Sequence, residues 1–270
     1  MKSFAWTLLF LCTITVPSSV LAQRVTSVVP LRIKVVDEST ITAKAAIFPF
    51  GDASGQPWKI ASTDLGLNEN GVRYSGSWVA DSGNGIANLS LLVAMDLSRS
   101  GDVPLASTFT PLNLAKGAAI AASKALAKSF DEIGLVGIDA MAELQCGLSS
   151  DKTGFTNAVS GIRSSGGFNL RRGLFDTPGG ALTHLQNARN ARALLLFTDG
   201  GSSFDAKSAI AMARAFAIRV YVIGLGTDVN ADLRTLADST GGAWIGKVTT
   251  QIEANQYAGA YVYDALRMPQ

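Results

Sequence analysis

Leu89-Ser90-Leu91-Leu92-Val93-Ala94-Met95-Asp96-Leu97-Ser98-Arg99-Ser100-Gly101 runs from an almost wholly apolar segment into a carboxylate and two hydroxyls at alternate positions. Leu89 to Met95, interrupted only by Ser90, reads as a strand covered on both faces, the pattern of a central parallel strand. Asp96, Ser98 and Ser100 then emerge at its carboxyl end, where open α/β sheets place their binding crevices. Three oxygen-bearing side chains in one short loop suit a hard divalent cation such as Mg2+, which prefers oxygen ligands and keeps several waters. An ordinary polar loop after a strand also contains D-x-S-x-S, so the motif alone does not select between the two.

Beyond Gly101 helix and strand patterns alternate. Thr110-Pro111 is an N-cap with proline at the first helical position. Leu112, Ala115, Ala119, Ala122, Leu126 and Phe130 recur at helical spacing, predicting a long helix with one face on a sheet. Leu135 to Met141 and Glu143 to Cys146 read as a strand pair, and Phe155, Ala158, Val159 and Ile162 as a short helix. Gly166-Gly167-Phe168-Asn169-Leu170 is a loop opening a helix that Pro178-Gly179-Gly180 must interrupt, because proline has no amide to donate. Ala193 to Phe197 is a second buried strand, ending in Thr198-Asp199-Gly200 with another carboxylate. A helix face (Ala209, Ile210, Ala213, Phe216) and a strand (Arg219 to Leu225) follow. Next come a short helix (Leu233, Leu236, Ala237) closed by Gly241-Gly242 and a last strand, Trp244 to Val248. Thr250 and Glu253 have capping-box spacing and open a final helix toward Leu266. This alternation predicts an α/β fold, a Rossmann-like and mostly parallel sheet flanked by helices.

The region before this stretch has a different texture. Lys2, the apolar Phe4 to Val16, and Val20-Leu21-Ala22 before Gln23 read as a signal peptide over residues 1–22. Its apolar part falls short of the ~20 residues a bilayer span needs, so a retained anchor is disfavoured and no membrane span is expected after cleavage. Residues 23–86 read as a small β-rich module. Leu31 to Val35 and Val72 to Val79 alternate, Ile41 to Phe48 is largely apolar or β-branched, and turn signals stand at Asp52 to Trp58 and Asn68-Glu69-Asn70-Gly71. Ser82-Gly83-Asn84-Gly85 marks the boundary with the main domain, residues 87–270.

Composition narrows the function. With 270 residues, 47% hydrophobic and 16% charged, the chain can bury a sizeable core. A formal net charge of +2 offers no basic field, so nucleic acid is not an expected partner. Removal of the leader takes Cys12 away and leaves Cys146 without a partner for a disulfide; it reads as a small packed hydrophobe. The expected location is secreted, periplasmic or cell-surface.

Asp96, Ser98 and Ser100 before a long helix, a Gly-Gly loop opening a later helix, and a strand ending in Thr198-Asp199-Gly200 occur in that order. The set resembles the von Willebrand factor type A domain with its metal-ion-dependent adhesion site, over about Ala87 to Leu266. The β module is similar to the segment that precedes such domains in some exported bacterial proteins, on Asp52-Ala53-Ser54-Gly55-Gln56-Pro57, Asp64 and Glu69-Asn70-Gly71. The resemblance implies a non-enzymatic adhesion or binding protein that engages a protein ligand, through a carboxylate, at a Mg2+ or Mn2+ ion. Asp96, Ser98 and Ser100 match the first motif and Asp199 the third, which makes these four the implied metal residues. The second motif places threonine where this chain has Phe168. A phenyl ring can neither coordinate a cation nor hydrogen-bond a metal-bound water, so one ligand is missing. Arg99, Phe168 and Asn169 are the implied partner-facing residues. Arg99 reads either as solvated surface or as a charge that steers what the metal attracts. Asn169 offers an amide oxygen whose ordinary role is to cap the helix starting at Leu170.

Enzyme readings fare worse. A strand-end aspartate nucleophile of the phosphotransfer or dehalogenation type wants a second acid two residues on, where this chain has Ser98. A serine hydrolase lacks its Gly-x-Ser-x-Gly elbow, and the single histidine, His184, is far in sequence from Ser98 and Ser100. The glycine pairs lack the phosphate-loop lysine pattern. The remaining alternative is a metal-free domain of the same family acting as a structural or protein-interaction module.

Overall fold

The computed structural model describes residues 88–266 except 106–108, 127, 177–178 and 201–203, together with four strands nearer the N-terminus. Those strands are β1 (Val25–Val35) and β2 (Ile41–Pro49), which pair with each other, and β3 (Leu67–Glu69) and β4 (Val72–Tyr74), an antiparallel hairpin in which Glu69 faces Val72. Asn68 and Glu69, read from the sequence as part of a turn, belong to β3 instead. The signal peptide, the 52–58 turn, the 82–85 boundary and Pro178 lie outside the described residues.

The larger of two compact units comprises Val29–Ala46 and Gly85–Gln270, and it carries a six-stranded sheet. Its strands are β5 (Leu89–Asp96), β6 (Glu132–Ile138), β7 (Ala142–Ser149), β8 (Ala191–Thr198), β9 (Ile218–Leu225) and β10 (Trp244–Val248), in the order β10-β9-β8-β5-β6-β7. All neighbours run parallel except β7, which turns back antiparallel along β6 as an edge strand. The β6–β7 ladder shifts register twice, around Leu135, and β10 also shifts against β9. Every residue of β5 is buried, as its apolar composition requires of a strand with β6 on one side and β8 on the other.

Among the described residues seven helices cover the sheet: α1 (Pro111–Ala125), α2 (Lys152–Gly161), α3 (Leu170–Phe175), α4 (Ala181–Leu185), α5 (Ala206–Ala215), α6 (Ala231–Ser239) and α7 (Gln251–Ala265). Leu92 and Ala94 of β5 join Val136, Ile138, Leu194, Leu196, Val220 and Val222 in one core layer under α3 to α6. Successive strand residues alternate faces, so Leu91, Val93 and Met95 turn to the other side, which α1, α2 and α7 cover. Helix starts are set locally. The side chains of Thr110, Asp151, Asn169, Asp205, Asn230 and Thr250 each accept a hydrogen bond from the backbone of the first turn that follows.

The structure departs from the periodicity in α1, which ends at Ala125 rather than running on to Phe130. Leu126 is still buried, but Phe130 is 72% exposed in a turn. The buried carboxylate of Asp131 explains the break. Its oxygens accept the amides of Lys128 and of Leu89, each at 2.9 Å, and so tie this turn to the first residue of β5. That tertiary bond outweighs continuing the helix by one more turn.

Glycine at 173 sets how closely α3 lies on the sheet. A Cβ there would stand 2.6 to 2.9 Å from three atoms of the Ile138 side chain. Gly173→Ala should therefore lower stability by about 1–2 kcal/mol, overpacking of about 1–3 kcal/mol exceeding the helix propensity gained. Denaturant melts of the two proteins measure this; an unchanged or raised midpoint would show that α3 is free to lift away.

Candidate functional site

The crevice lies where β5 and β8 end side by side. Met95 is paired with Phe197, so Asp96 and Thr198 leave the sheet together, and their next residues open the two loops. Asp96 is 7% exposed, and its burial is made tolerable by donors. Oδ1 accepts the amide of Ser98 at 2.9 Å, and Oδ2 lies 3.0 Å from the hydroxyl of Thr198. The first of these bonds folds the loop back on itself and is followed by a short 3-10 turn, Arg99–Asp102. The Ser98 and Ser100 hydroxyls are thereby brought 2.8 Å apart, and Ser98 Oγ reaches Asp199 Oδ1 at 3.4 Å. All four metal residues expected from the sequence thus meet through direct contacts or shared loop geometry. Asp199 Oδ2 is buried with no hydrogen-bond partner.

Thr198 escapes the sequence reading as a functional residue. Besides facing Asp96, its hydroxyl is 2.6 Å from the carbonyl of Gly200 and accepts the Gly200 amide at 3.2 Å. It couples the first and third loops through one oxygen. The only sequence signal is its place between a buried strand and Asp199. Thr227 is a second unread support, its hydroxyl donating to the Asp199 carbonyl at 2.7 Å.

The loop that carries Phe168 is fastened to the first loop by main-chain bonds. Ser98 and Gly166 form an isolated parallel bridge, the amide of Arg99 donates to Gly166 at 3.0 Å, and that of Ser165 to Leu97 at 2.9 Å. Gly166 has φ 153°, which favours glycine at the bridge. Asn169 is held twice: its amide donates to the Asp139 carbonyl at 2.7 Å, and its side-chain oxygen caps α3 through the amide of Arg172 at 3.1 Å. That oxygen is therefore engaged as a cap. Phe168 is half-buried and packs against the core layer under α3 to α6, while Arg99 is exposed. His184 sits on α4 beside Glu132, Ser149 and Arg189. Glu132 opens β6, parallel to β5, so this is the opposite end of the sheet from Ser98 and Ser100. No hydroxyl of the crevice has the histidine partner that serine nucleophiles use.

Burial, helped by the nearby Asp199 carboxylate and opposed by the hydrogen bonds from Ser98 and Thr198, holds the Asp96 carboxyl up at about 6. Among the described residues no three His, Cys, Asp or Glu side chains converge. The described side-chain oxygens of the crevice are the carboxylates of Asp96 and Asp199 and the hydroxyls of Ser98, Ser100 and Thr198.

The sequence matches the profile of the von Willebrand factor type A domain over residues 98–258, more than half of its length, and the chain belongs to that family. The match opens at Ser98 in the first loop and closes in α7. A von Willebrand factor type A protein from Catenulispora acidiphila has a similar structure, with TM-score 0.54 and 18% identity, over 66% of this chain and 42% of that one. Proximal thread matrix protein 1 from the mussel byssus gives TM-score 0.54 and 17% identity over 67% and 46%. BatB, a conserved hypothetical protein from Bacteroides thetaiotaomicron, gives 0.47 and 15% over 67% and 100%. At these identities the likeness is one of fold. This chain accordingly spans less than half the length of the first two. No protein of curated function matches it. Domains of this family commonly mediate protein–protein interaction or adhesion, and often bind a divalent cation at their adhesion site.

The direction of the Asp96 shift fixes a pH dependence. A carboxyl that titrates near 6 when folded and near 3.8 when unfolded binds its proton more tightly in the fold. The associated stability is present at low pH and is lost as pH rises through 6. In chelator, acidification from about pH 7 to about pH 5 should add on the order of 1 kcal/mol to wild-type stability relative to Asp96→Asn, which cannot titrate. Parallel denaturant melts at the two pH values read this directly; equal responses would mean that Asp96 is not held as described.

Proposed function

We propose that this chain is an exported, non-enzymatic interaction protein that engages a protein partner through Mg2+ or Mn2+ at the carboxyl end of its sheet. In this reading residues 1–22 are a signal peptide, 23–86 a small β-rich module and 87–270 the binding domain. Ser98, Ser100 and Asp199 hold the cation, with Asp96 beside or behind them. Export rests on the leader pattern, and no helix among the described residues is long and apolar enough to cross a membrane.

The observation that carries the proposal is Asp199 Oδ2, buried and without a hydrogen-bond partner, next to the paired hydroxyls of Ser98 and Ser100. A buried carboxylate oxygen left unsatisfied costs free energy in proportion to its charge, and a cation is the partner that removes the cost. Two hydroxyls and a carboxylate, completed by water, make an oxygen set that a hard divalent ion accepts. Bound there, the cation supplies positive charge with an open position for a partner's carboxylate. The protein's own part is to hold its oxygens in place. The Ser98 amide and the Thr198 hydroxyl keep Asp96 oriented, and the Ser98–Gly166 bridge keeps the neighbouring loop against the crevice.

Thermal melts in millimolar Mg2+ or Mn2+ and in chelator test the proposal. A ligand that binds only the folded state adds about 2.7 kcal/mol at 100 times its Kd, so the metal should raise Tm and the chelator reverse it. Asp199→Ala should abolish that increment while leaving stability in chelator equal or higher, since it removes the unsatisfied oxygen. If Asp199 instead served the fold alone, the variant would lose stability equally in both media.

The metal-free alternative draws on Phe168, whose ring packs against the core where the family places a hydroxyl. Phe168→Thr separates the two readings. In the cation reading it tightens Mg2+ measured by titration calorimetry, at a stability cost of about 1–3 kcal/mol for the lost half-buried ring. A folded Phe168→Thr protein with no gain in affinity, together with a wild-type Tm indifferent to metal, would select the metal-free module.

A further inference from the structure

We infer that a second binding site lies at the opposite end of the sheet from the crevice, where the cleft between α4 and the β6–β7 pair takes a neutral saccharide. The cleft is open, has a volume of about 390 Å3, and is lined by residues that include Glu132, Ser149, Ser150, His184, Asn187 and Arg189. That room suits a mono- or disaccharide. None of these residues belongs to the crevice, so the cleft stands or falls independently of the cation.

Two groups of the cleft are held in place from behind. Ser90 is the one polar residue in the run Leu89 to Met95, and it is wholly buried in β5. Its hydroxyl donates to Glu132 Oε2 at 2.7 Å and accepts the Asn190 amide at 3.3 Å. A buried hydroxyl in a central strand is tolerated when it is hydrogen-bonded, and the partner it fixes here is the carboxylate of the cleft. The other oxygen of Glu132 takes no hydrogen bond from a described residue. Asn190 also steadies the turn before β6, its side-chain amide donating to the Phe130 carbonyl at 2.8 Å. Asp131 grips the same turn through the amides of Leu89 and Lys128. Phe130 is thus carried on fixed backbone, two residues before Glu132 and bonded to the residue after Arg189, with its ring 72% exposed.

The mixture of donors and acceptors selects the ligand. Glu132 supplies a carboxylate acceptor, Arg189 a fork of donors, and Asn187 and the serine hydroxyls supply both kinds. The side chains of Ser150, Asn187 and Arg189 form no hydrogen bond or ion pair with a described residue. Sugar hydroxyls each donate one bond and accept others, so they match such a set. A simple anion would face Glu132 and a simple cation Arg189, each beside a charge of its own sign. The adjoining charges are also of both signs: Asp151 caps α2 through the Gly154 amide, and Lys152 reaches the Leu126 carbonyl. The C–H face of a pyranose is apolar and packs on the electron-rich face of an aromatic ring, a role that the exposed Phe130 can fill at the margin of the cleft.

The test is calorimetric titration of the full chain with a panel of free neutral mono- and disaccharides, alongside an array of the same sugars immobilised through their reducing ends. Saturable binding of at least one neutral sugar, unchanged by chelator, is the expected outcome. Glu132→Gln, which keeps the size of the side chain, should weaken that sugar at least about tenfold. Phe130→Ala should weaken it about threefold or more. Asn187→Ala changes only an exposed side chain and should also weaken binding, which keeps the test decisive if melting shows Glu132→Gln to be unfolded. Free and immobilised forms bound alike identify a terminal unit of a larger glycan, and the free form alone a free sugar; both uphold the cleft. Binding confined to acidic sugars or inorganic phosphate would overturn the neutral ligand. Binding indifferent to all three substitutions, or abolished by chelator, would place the sugar elsewhere and overturn the cleft. Absence of binding by every sugar in both formats would overturn the inference as a whole.

Discussion

A carboxylate buried at the end of a central strand is costly, and the local structure of this domain is largely the means by which that cost is met. Asp96 cannot move outward, because β5 is locked between β6 and β8 with every residue covered. Donors must come to it instead. The amide of Ser98 does so by folding the first loop back, and the hydroxyl of Thr198 does so because β8 ends level with β5. The convergence of Ser98, Ser100 and Asp199 is a consequence of those two bonds as much as of any property of the residues themselves. Satisfying the buried acid Asp96 leaves the partly buried Asp199 with one covered oxygen, Oδ2, that has no hydrogen-bond partner.

The central sheet could be read from sequence because its signals are local. An apolar run such as Leu89 to Met95 needs no partner to announce a buried strand, and Thr110, Asn169 and Thr250 announce helix starts by bonds that span three residues. Asp96, Ser98, Ser100 and Asp199 were legible for a related reason: strand ends in an α/β sheet lie at one edge, so the topology alone brings them near one another. The resemblance to the family supplied which of the polar residues to choose.

The supports that hold the crevice together were not legible, and their sequence separations show why. The bond from Thr198 to Asp96 joins residues 102 apart, and that from the Leu89 amide to Asp131 joins residues 42 apart. No periodicity records such a pair. The second of these bonds also cut α1 short of the predicted end, converting Phe130 from an expected core residue into an exposed one. Phe168 is the reverse case: its mismatch with the family pattern is plain in the sequence, whereas the packing of its ring against the core layer is a tertiary contact that no local pattern announces.

The antiparallel return of β7 has a consequence for how copies of this protein meet. An open parallel sheet ends in rows of free amides and carbonyls that another strand can extend, which is the usual route to edge-to-edge aggregation. Here the outer strand is mostly solvent-facing and twice shifted in register against its neighbour, while the opposite edge, β10, is short and shifted as well. Irregular edges of this kind twist away from a flat docking strand. Association by strand addition is thereby discouraged at both margins of the sheet, and contacts between molecules are left to the helices and to the loops at its ends.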